Sequence, residues 1–91
     1  MLTQGIRGAT TVDNNDKTSV KEAVVELLNH MLGKNNIETE DIAFAIFTVT
    51  SDIDADFPAK FAREYCGFEH VPMMCYREME VKGAIKMCLR I

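Results

Sequence analysis

The sequence predicts an α/β fold, an α+β sandwich in which a mixed β-sheet packs on one long helix. Three observations support this prediction: a helical repeat of apolar residues in the first half, a strand that is apolar on both faces near the middle, and an alternating segment at the end. The elements follow in the order βαβαββ. A chain of 91 residues accommodates them as a single domain over residues 1–91.

The first elements are a short strand and a long helix. Residues 4–12 tolerate a strand, and the glycines Gly5 and Gly8 suggest that another segment approaches its backbone closely. Residues 17–32 form the helix, because apolar side chains recur at helical spacing. These side chains are Val20, Ala23, Val24, Leu27, Leu28, Met31 and Leu32. We expect Gly33 and the asparagines after it to end the helix.

Residues 42–50 predict a central strand. This segment, IAFAIFTVT, is apolar on both pleat faces and rich in β-branched and aromatic residues, which is typical of a strand buried on both sides. One helix covers only one face. Since a 91-residue chain also has little core of its own, we expect a neighbouring subunit to cover the other face.

The second half of the chain predicts a short helix and two further strands. Pro58 suits the first position of a helix that stops before Gly67. Residues 71–76 and 85–91 follow as strands. Alternation in the last strand predicts two faces, one with Ile85, Met87, Leu89 and Ile91 and one with Lys86, Cys88 and Arg90.

Composition and charge disfavour several classes of protein. The chain is 47% hydrophobic and 26% charged, and 10 basic against 14 acidic residues give a net charge of −4. It therefore lacks the basic surface that binding to nucleic acid or to a membrane surface requires. No apolar run approaches the ~20 residues of a membrane span, and the start of the chain does not resemble a signal peptide, so we expect a cytoplasmic protein.

The cysteines favour neither a disulfide framework nor a zinc site. Cys66, Cys75 and Cys88 are an odd number and lack the CxxC spacing of metal sites, so we interpret them as reduced thiols. Cys75 is more typical of a small core residue than of a nucleophile, because no histidine has the spacing to activate it.

Two arginines are candidates for ligand binding. Arg7 lies in an otherwise apolar strand, and Arg90 lies on the face of the last strand that points away from the core. Most arginines in proteins are exposed to solvent at the surface and bind no ligand. A second subunit would desolvate both, however, and only an anion would compensate. A small dianionic ligand would meet this need.

Other charged candidates lie near the predicted strand and helix ends. Glu78 follows the strand of Cys75. Its carboxylate could accept a hydrogen bond from a substrate hydroxyl, or it could be a solvated carboxylate in a loop. The residues alone leave both roles open. Lys60 and Arg63, three positions apart, would share a basic helix face close to Phe57.

Four segments together carry a more specific pattern. They are GIRGATTV at residues 5–12, FTVTSDIDADFPAKFAR at 47–63, VPMMCYREMEV at 71–81 and KMCLRI at 86–91. In this order they resemble the trimeric α/β-type monofunctional chorismate mutases across essentially the whole chain. The all-helical chorismate mutases have a different fold and do not match. The resemblance implies a homotrimer similar to a pseudo-α/β barrel, with clefts between the subunits. In these clefts the family rearranges chorismate to prephenate, on the shikimate route to phenylalanine and tyrosine.

The same resemblance implies roles for individual residues. Arg7 would bind a substrate carboxylate, and Arg90 would reach the ether oxygen and a carboxylate. Glu78 with Cys75 would hold the ring hydroxyl. The cleft mouth would be lined by Phe57, Ala59, Lys60 and Arg63. Met74 replaces the small hydroxyl residue that is often found at its position, so we expect no polar contact there.

The end of the chain also bears on the expected cleft. The family usually continues past the position of Arg90 with a further strand, a tyrosine that contacts substrate and a mobile tail, and the sequence stops at Ile91. We therefore expect a cleft that is more open and wetter than in the family.

The implied reaction is unimolecular and needs no nucleophile, metal, redox cofactor or proton transfer, so no cofactor is expected. The protein would restrict a flexible dianion to one geometry and stabilise the charge that grows on the ether oxygen. Three alternatives stay open: a non-catalytic trimeric module that binds a small carboxylate, a C-terminally shortened mutase with weakened activity, and another small trimeric enzyme acting on an imino or keto acid.

Overall fold

A computed structural model describes residues 3–91, in which four strands and two α-helices form a mixed α/β fold. This confirms the predicted fold class. The elements in chain order are β1 Ala9–Thr11, α1 Lys17–Asn35, a 3₁₀-helix at Thr39–Asp41, β2 Ala45–Val49, α2 Pro58–Tyr65, β3 Met73–Arg77 and β4 Cys88–Arg90. No helix among these residues is both long and apolar enough to cross a membrane.

The four strands form one mixed sheet in the order β1-β4-β2-β3. β2 and β3 are parallel, because the chain crosses over through α2 between them. β4 lies between β1 and β2 and is antiparallel to both. The strand that carries Arg90 is therefore an inner strand of the sheet, although it comes last in the chain.

The long helix ends later than the sequence predicts. α1 continues through Gly33 to Asn35, and Asn36 ends it in the left-handed conformation, with φ 55°. Asparagine tolerates this conformation and therefore takes the place that glycine usually fills. At the other end, Asp16 caps the helix and accepts a hydrogen bond of 2.7 Å from the Ser19 amide.

The hydrophobic core lies between the two helices and one face of the sheet. Its most deeply buried side chains are Phe47, Phe68, Leu28, Leu89, Val20 and Val24. At Gly8 a Cβ atom would come within 2.8 Å of Met31 Sδ, so the predicted close approach is present at this glycine. Gly5 has no such neighbour, and the prediction is wrong there.

The other face of the sheet is uncovered in a single chain. Of the predicted doubly buried strand, only Phe47 is fully buried, whereas Phe44 and Ile46 are 64% and 42% exposed. Met74 and Tyr76 of β3 lie in register with Ile46 and Thr48 and are exposed as well. We call this surface the open face.

The last strand is much shorter than predicted. Residues 78–87 form a loop, Met87 has a left-handed φ of 50°, and β4 begins only at Cys88. The predicted two-face pattern fails before β4, where Ile85 is exposed, but it holds within β4: Leu89 lies in the core and Arg90 on the other face. Cys88 is buried as well. The physical reason for the late start of β4 lies outside the strand, because the Met87 amide donates to the Asp52 carboxylate at 3.0 Å, while the Met87 carbonyl still accepts the Val12 amide at 2.7 Å.

The first strand is also shorter than the predicted residues 4–12, since β1 covers Ala9–Thr11. Backbone hydrogen bonds between Gly8 and Ile91, both 3.0 Å, continue its pairing with β4 by one residue. The segment at Gly8 and the segment at Ile91 are thereby held together beside Arg90.

Candidate functional site

The open face carries an ion pair between Arg90 and Glu78. Arg90 Nε donates to Glu78 Oε1 at 2.6 Å, with the arginine side chain half exposed and the carboxylate largely buried. Thr48 Oγ1 donates to the same carboxylate oxygen at 2.8 Å. Thr48 lies directly opposite Arg90 in the β2–β4 register, so neighbouring strands bring the three side chains together.

Arg7 lies at the same end of the sheet. Ala9 is paired with Arg90, and the hydrogen bonds between Gly8 and Ile91 extend this pairing toward Arg7. Arg7 is exposed. The two arginines proposed from the sequence are therefore on neighbouring segments of the sheet.

A second group of predicted residues lines a cavity between α2 and β3. The cavity has a volume of about 360 Å³ and is lined by Phe57, Ala59, Lys60, Arg63, Met73 and Cys75. Pro58 starts α2, as predicted, and α2 ends before Gly67, which has a φ of 74°. The short helix thus places one basic edge and the exposed Phe57 ring beside the edge strand of the sheet.

Cys75 and Glu78 do not meet within one chain. Cys75 is in register with Phe47, whose side chain is fully buried on the core side of the sheet. Glu78 joins Thr48 and Arg90 on the open face. The structure therefore divides the candidate residues into two groups, one on the open face and one around the cavity.

Met74 belongs to the open face. It is 56% exposed, next to Tyr76, whose hydroxyl donates to Met74 Sδ at 3.2 Å. Position 74 has no hydroxyl group of its own, and the hydroxyl nearest to it belongs to Tyr76.

Cys66, Cys75 and Cys88 are free thiols in the structure. Burial raises the pKa of Cys66, and burial is also the main cause of the raised pKa of Cys88. Both thiols are therefore protonated and unreactive near neutral pH.

Lys60 forms an ion pair at the cavity mouth that the sequence analysis missed. Its ammonium lies 3.0 Å from Asp56 Oδ2, and Asp56 Oδ1 accepts the Phe57 amide at 2.8 Å. The hydrogen bond from Lys60 is the main cause that lowers the pKa of Asp56, and the same bond raises the pKa of Lys60. The spacing of four residues between Asp56 and Lys60 could have indicated this ion pair from the sequence.

Asp52 organises the approach to β4, and it too was missed. Its carboxylate accepts from the Thr50 hydroxyl and from the Met87 amide, and these two bonds are the main causes that lower its pKa. The Thr50 hydroxyl in turn accepts the Cys88 amide at 2.9 Å. No local pattern signals the contacts with Met87 and Cys88, because each joins residues 35 or more positions apart in sequence.

Comparison with known proteins gives one consistent family. The family profile described as chorismate mutase type I matches residues 3–91. Chorismate mutase AroH of Bacillus subtilis (strain 168) is 37% identical over 91 residues, covering 100% of this chain and 72% of that protein. Chorismate mutase AroH of Thermus thermophilus is 40% identical, covering 99% of this chain and 74% of that protein.

The solved structures agree with the sequence comparison. A chorismate mutase from Clostridium thermocellum superimposes with a TM-score of 0.87 and 43% sequence identity, over 93% of this chain and 75% of that one. The match confirms the resemblance seen in the sequence. This chain belongs to the type I chorismate mutase family.

Proposed function

We propose that this protein is a chorismate mutase, an isomerase that rearranges chorismate to prephenate in the biosynthesis of phenylalanine and tyrosine. Family membership over residues 3–91 supports the activity. The single structural observation that carries the mechanism is the Arg90–Glu78 pair on the open face. A fixed guanidinium beside a carboxylate suits a substrate that has both acidic groups and a hydroxyl.

The reaction is an internal exchange of bonds. The ether C–O bond breaks while a new C–C bond forms between the side chain and the ring, and no atom enters or leaves. The protein must therefore hold the flexible dianion in its compact reactive geometry and stabilise negative charge on the ether oxygen as the C–O bond breaks.

Arg90 suits the second task. Among residues 3–91, the contacts of its side chain involve Nε and Glu78, which leaves the two terminal nitrogens for substrate. The planar fork can donate to the ether oxygen and to a carboxylate together. Because the ether oxygen becomes negative only as the bond breaks, this contact strengthens in the transition state and raises kcat.

Glu78 and Arg7 complete the open-face group. Glu78 accepts hydrogen bonds through Oε1 from Thr48 and Arg90, and its second oxygen can accept the ring hydroxyl of the substrate. Arg7 binds a substrate carboxylate. These roles orient the two ends of the dianion on either side of Arg90.

We propose that the active site is completed by a second copy of the chain in a homotrimer. The open face exposes Phe44, Ile46, Met74 and Tyr76, an apolar surface that favours burial. A neighbouring copy that covers this face would bring its own cavity group toward Arg90 and Glu78. Each cleft would then combine the open-face group of one subunit with Cys75 and the cleft-mouth residues of another.

In such a cleft, Lys60 and Arg63 add positive charge opposite Arg90, and Phe57 and Ala59 supply apolar walls. Met74 contributes apolar surface at the boundary between subunits. We place the enzyme in the cytoplasm, where it would act on free chorismate without a cofactor or a nucleic-acid partner.

A direct assay tests the proposed activity. Purified protein is mixed with chorismate, the loss of its ultraviolet absorbance is followed, and prephenate is identified by chromatography. We expect saturable turnover well above the spontaneous rearrangement. A rate equal to the spontaneous one, from a folded protein, would overturn the proposal.

A further inference from the structure

We propose that Thr48 is a positioning residue that holds the Glu78 carboxylate and thereby keeps the terminal nitrogens of Arg90 available to the substrate. The inference rests on the proposed chorismate mutase activity. It concerns a residue that the sequence analysis did not single out.

The geometry around one carboxylate oxygen carries the proposal. Glu78 Oε1 accepts from Thr48 Oγ1 at 2.8 Å and from Arg90 Nε at 2.6 Å. Within residues 3–91, both of these contacts fall on Oε1. The two donors thus share one oxygen, and Oε2 is left for the substrate.

The backbone around this contact is fixed by the sheet. The Glu78 amide donates to the Val49 carbonyl at 2.9 Å, directly after Thr48 in β2. Thr48 itself is opposite Arg90 in the ladder. A β-branched side chain on a strand has few χ1 rotamers, so the position of the hydroxyl is well defined. The remaining freedom in this cluster lies in the longer side chains of Glu78 and Arg90.

Thr48 restricts that freedom in a direction that matters for catalysis. A carboxylate next to a guanidinium favours a bidentate pair, in which both oxygens bind two nitrogens of the fork. Such a pair would occupy a terminal nitrogen of Arg90 and both oxygens of Glu78. The hydrogen bond from the Thr48 hydroxyl keeps Oε1 in its observed position and so disfavours the bidentate pair. It preserves both the donor for the ether oxygen and the acceptor for the ring hydroxyl.

The experiment compares Thr48→Val, which removes the hydroxyl and keeps a β-branched shape, with Thr48→Ser, which keeps the hydroxyl. A hydrogen bond to a charged group supports an expected loss of roughly 10-fold in kcat/KM for Thr48→Val. Thr48→Ser should recover most of that loss. Melting temperature and oligomer mass are measured on both variants and should stay close to those of the parent protein.

A double-mutant cycle with Glu78→Ala separates positioning from a general structural role. In the Glu78→Ala background, Thr48→Val should have no further effect on kcat/KM. The same cycle can be built from the dissociation constant of prephenate, measured by calorimetry on the parent, the two single variants and the double variant. This measurement does not require turnover, which is too slow to follow if the loss of Glu78 abolishes catalysis. The dissociation constant should rise with Thr48→Val only when Glu78 is present.

Thr10→Val is the matched control, because Thr10 is opposite the buried Leu89 and its side chain is on the other face of the sheet. It should match the parent protein. The proposal for Thr48 is overturned if Thr48→Val keeps the parent kcat/KM, or if its cost is the same with and without Glu78. Absence of turnover in the parent protein would instead overturn the proposed function itself.

Discussion

Cys75 and Glu78 lie on opposite faces of the sheet, although they are close neighbours in the chain. Cys75 is in register with the buried Phe47, whereas Glu78 binds Thr48 and Arg90 on the open face. Residues that are expected to hold one substrate hydroxyl are thus separated within a single chain. A cleft formed by two copies would bring a Cys75 and a Glu78 from different subunits together.

The first prediction concerns assembly. Light scattering should give about three times the chain mass of 10.2 kDa, because the open face exposes apolar side chains that a second copy would bury. Ile46→Asp, in the middle of that face, should dissociate the trimer and abolish most of the activity. Asn29→Asp adds the same charge on an exposed position of α1 and should leave both unchanged. An active monomer would contradict the shared cleft.

The second prediction concerns Arg90. Removing one preorganised donor of this kind typically costs ~10²- to 10³-fold in kcat, so Arg90→Ala should lose at least that much while the trimer remains intact. Arg90→Lys keeps the charge without the planar fork and should recover only part. Arg77→Ala removes an exposed arginine outside both groups of site residues and should be nearly neutral. Equal losses at both positions would argue against electrostatic catalysis by Arg90.

The third prediction concerns the ion pair of Asp56 and Lys60. In the proposed cleft Asp56 would compete with the substrate for the Lys60 ammonium, so Asp56→Asn should lower the KM for chorismate by about 2- to 5-fold, with little change in kcat. The gain should shrink as salt is added, since exposed charges are screened. Glu69→Gln, an exposed carboxylate elsewhere, is the control. A higher KM in Asp56→Asn would show that the pair instead positions Lys60 for binding.

The fourth prediction concerns acid stability and Asp52. Hydrogen bonds from Thr50 and Met87 lower the pKa of Asp52 in the folded state. A depressed carboxyl pKa stabilises the fold above the unfolded-state pKa of about 4, and this stabilisation is lost as the pH falls through the folded-state value. Asp52→Asn should therefore be less stable than the parent at neutral pH, and the difference should shrink in acid.

Urea unfolding at about pH 7 and about pH 3 measures this difference. Asp13→Asn, at an exposed aspartate outside the network, should show no such convergence. If Asp52→Asn differed from the parent by the same amount at both pH values, ionisation of Asp52 would not be what stabilises the start of β4.

The fifth prediction concerns the pH dependence of the reaction. Because the rearrangement moves no proton, kcat should stay nearly level from mildly acidic to mildly alkaline pH, and a chelator should have no effect. Steady-state rates across this range, with and without a chelator, provide the measurement. A bell-shaped kcat profile would instead indicate general acid–base catalysis.

Much of the fold could be predicted from local patterns alone. The apolar repeat of α1, the proline that starts α2 and the apolar run of β2 all reflect preferences of neighbouring residues, and each element formed where its pattern lies. The arginines could be singled out because charge within a short apolar strand is costly without a partner, whereas the residues alone left the role of Glu78 open. Family motifs then supplied the reaction.

The tertiary structure decided the rest, for a physical reason that recurs across the molecule. Asp52 and Thr50 reach across to the amides of Met87 and Cys88, and these contacts determine where β4 begins. Thr48 meets Glu78 only because β2 lies between β3 and β4. The local periodicity of apolar residues indicates which side chains are buried. Hydrogen bonds between segments 30 or more positions apart depend on strand order and register, which only the folded chain specifies.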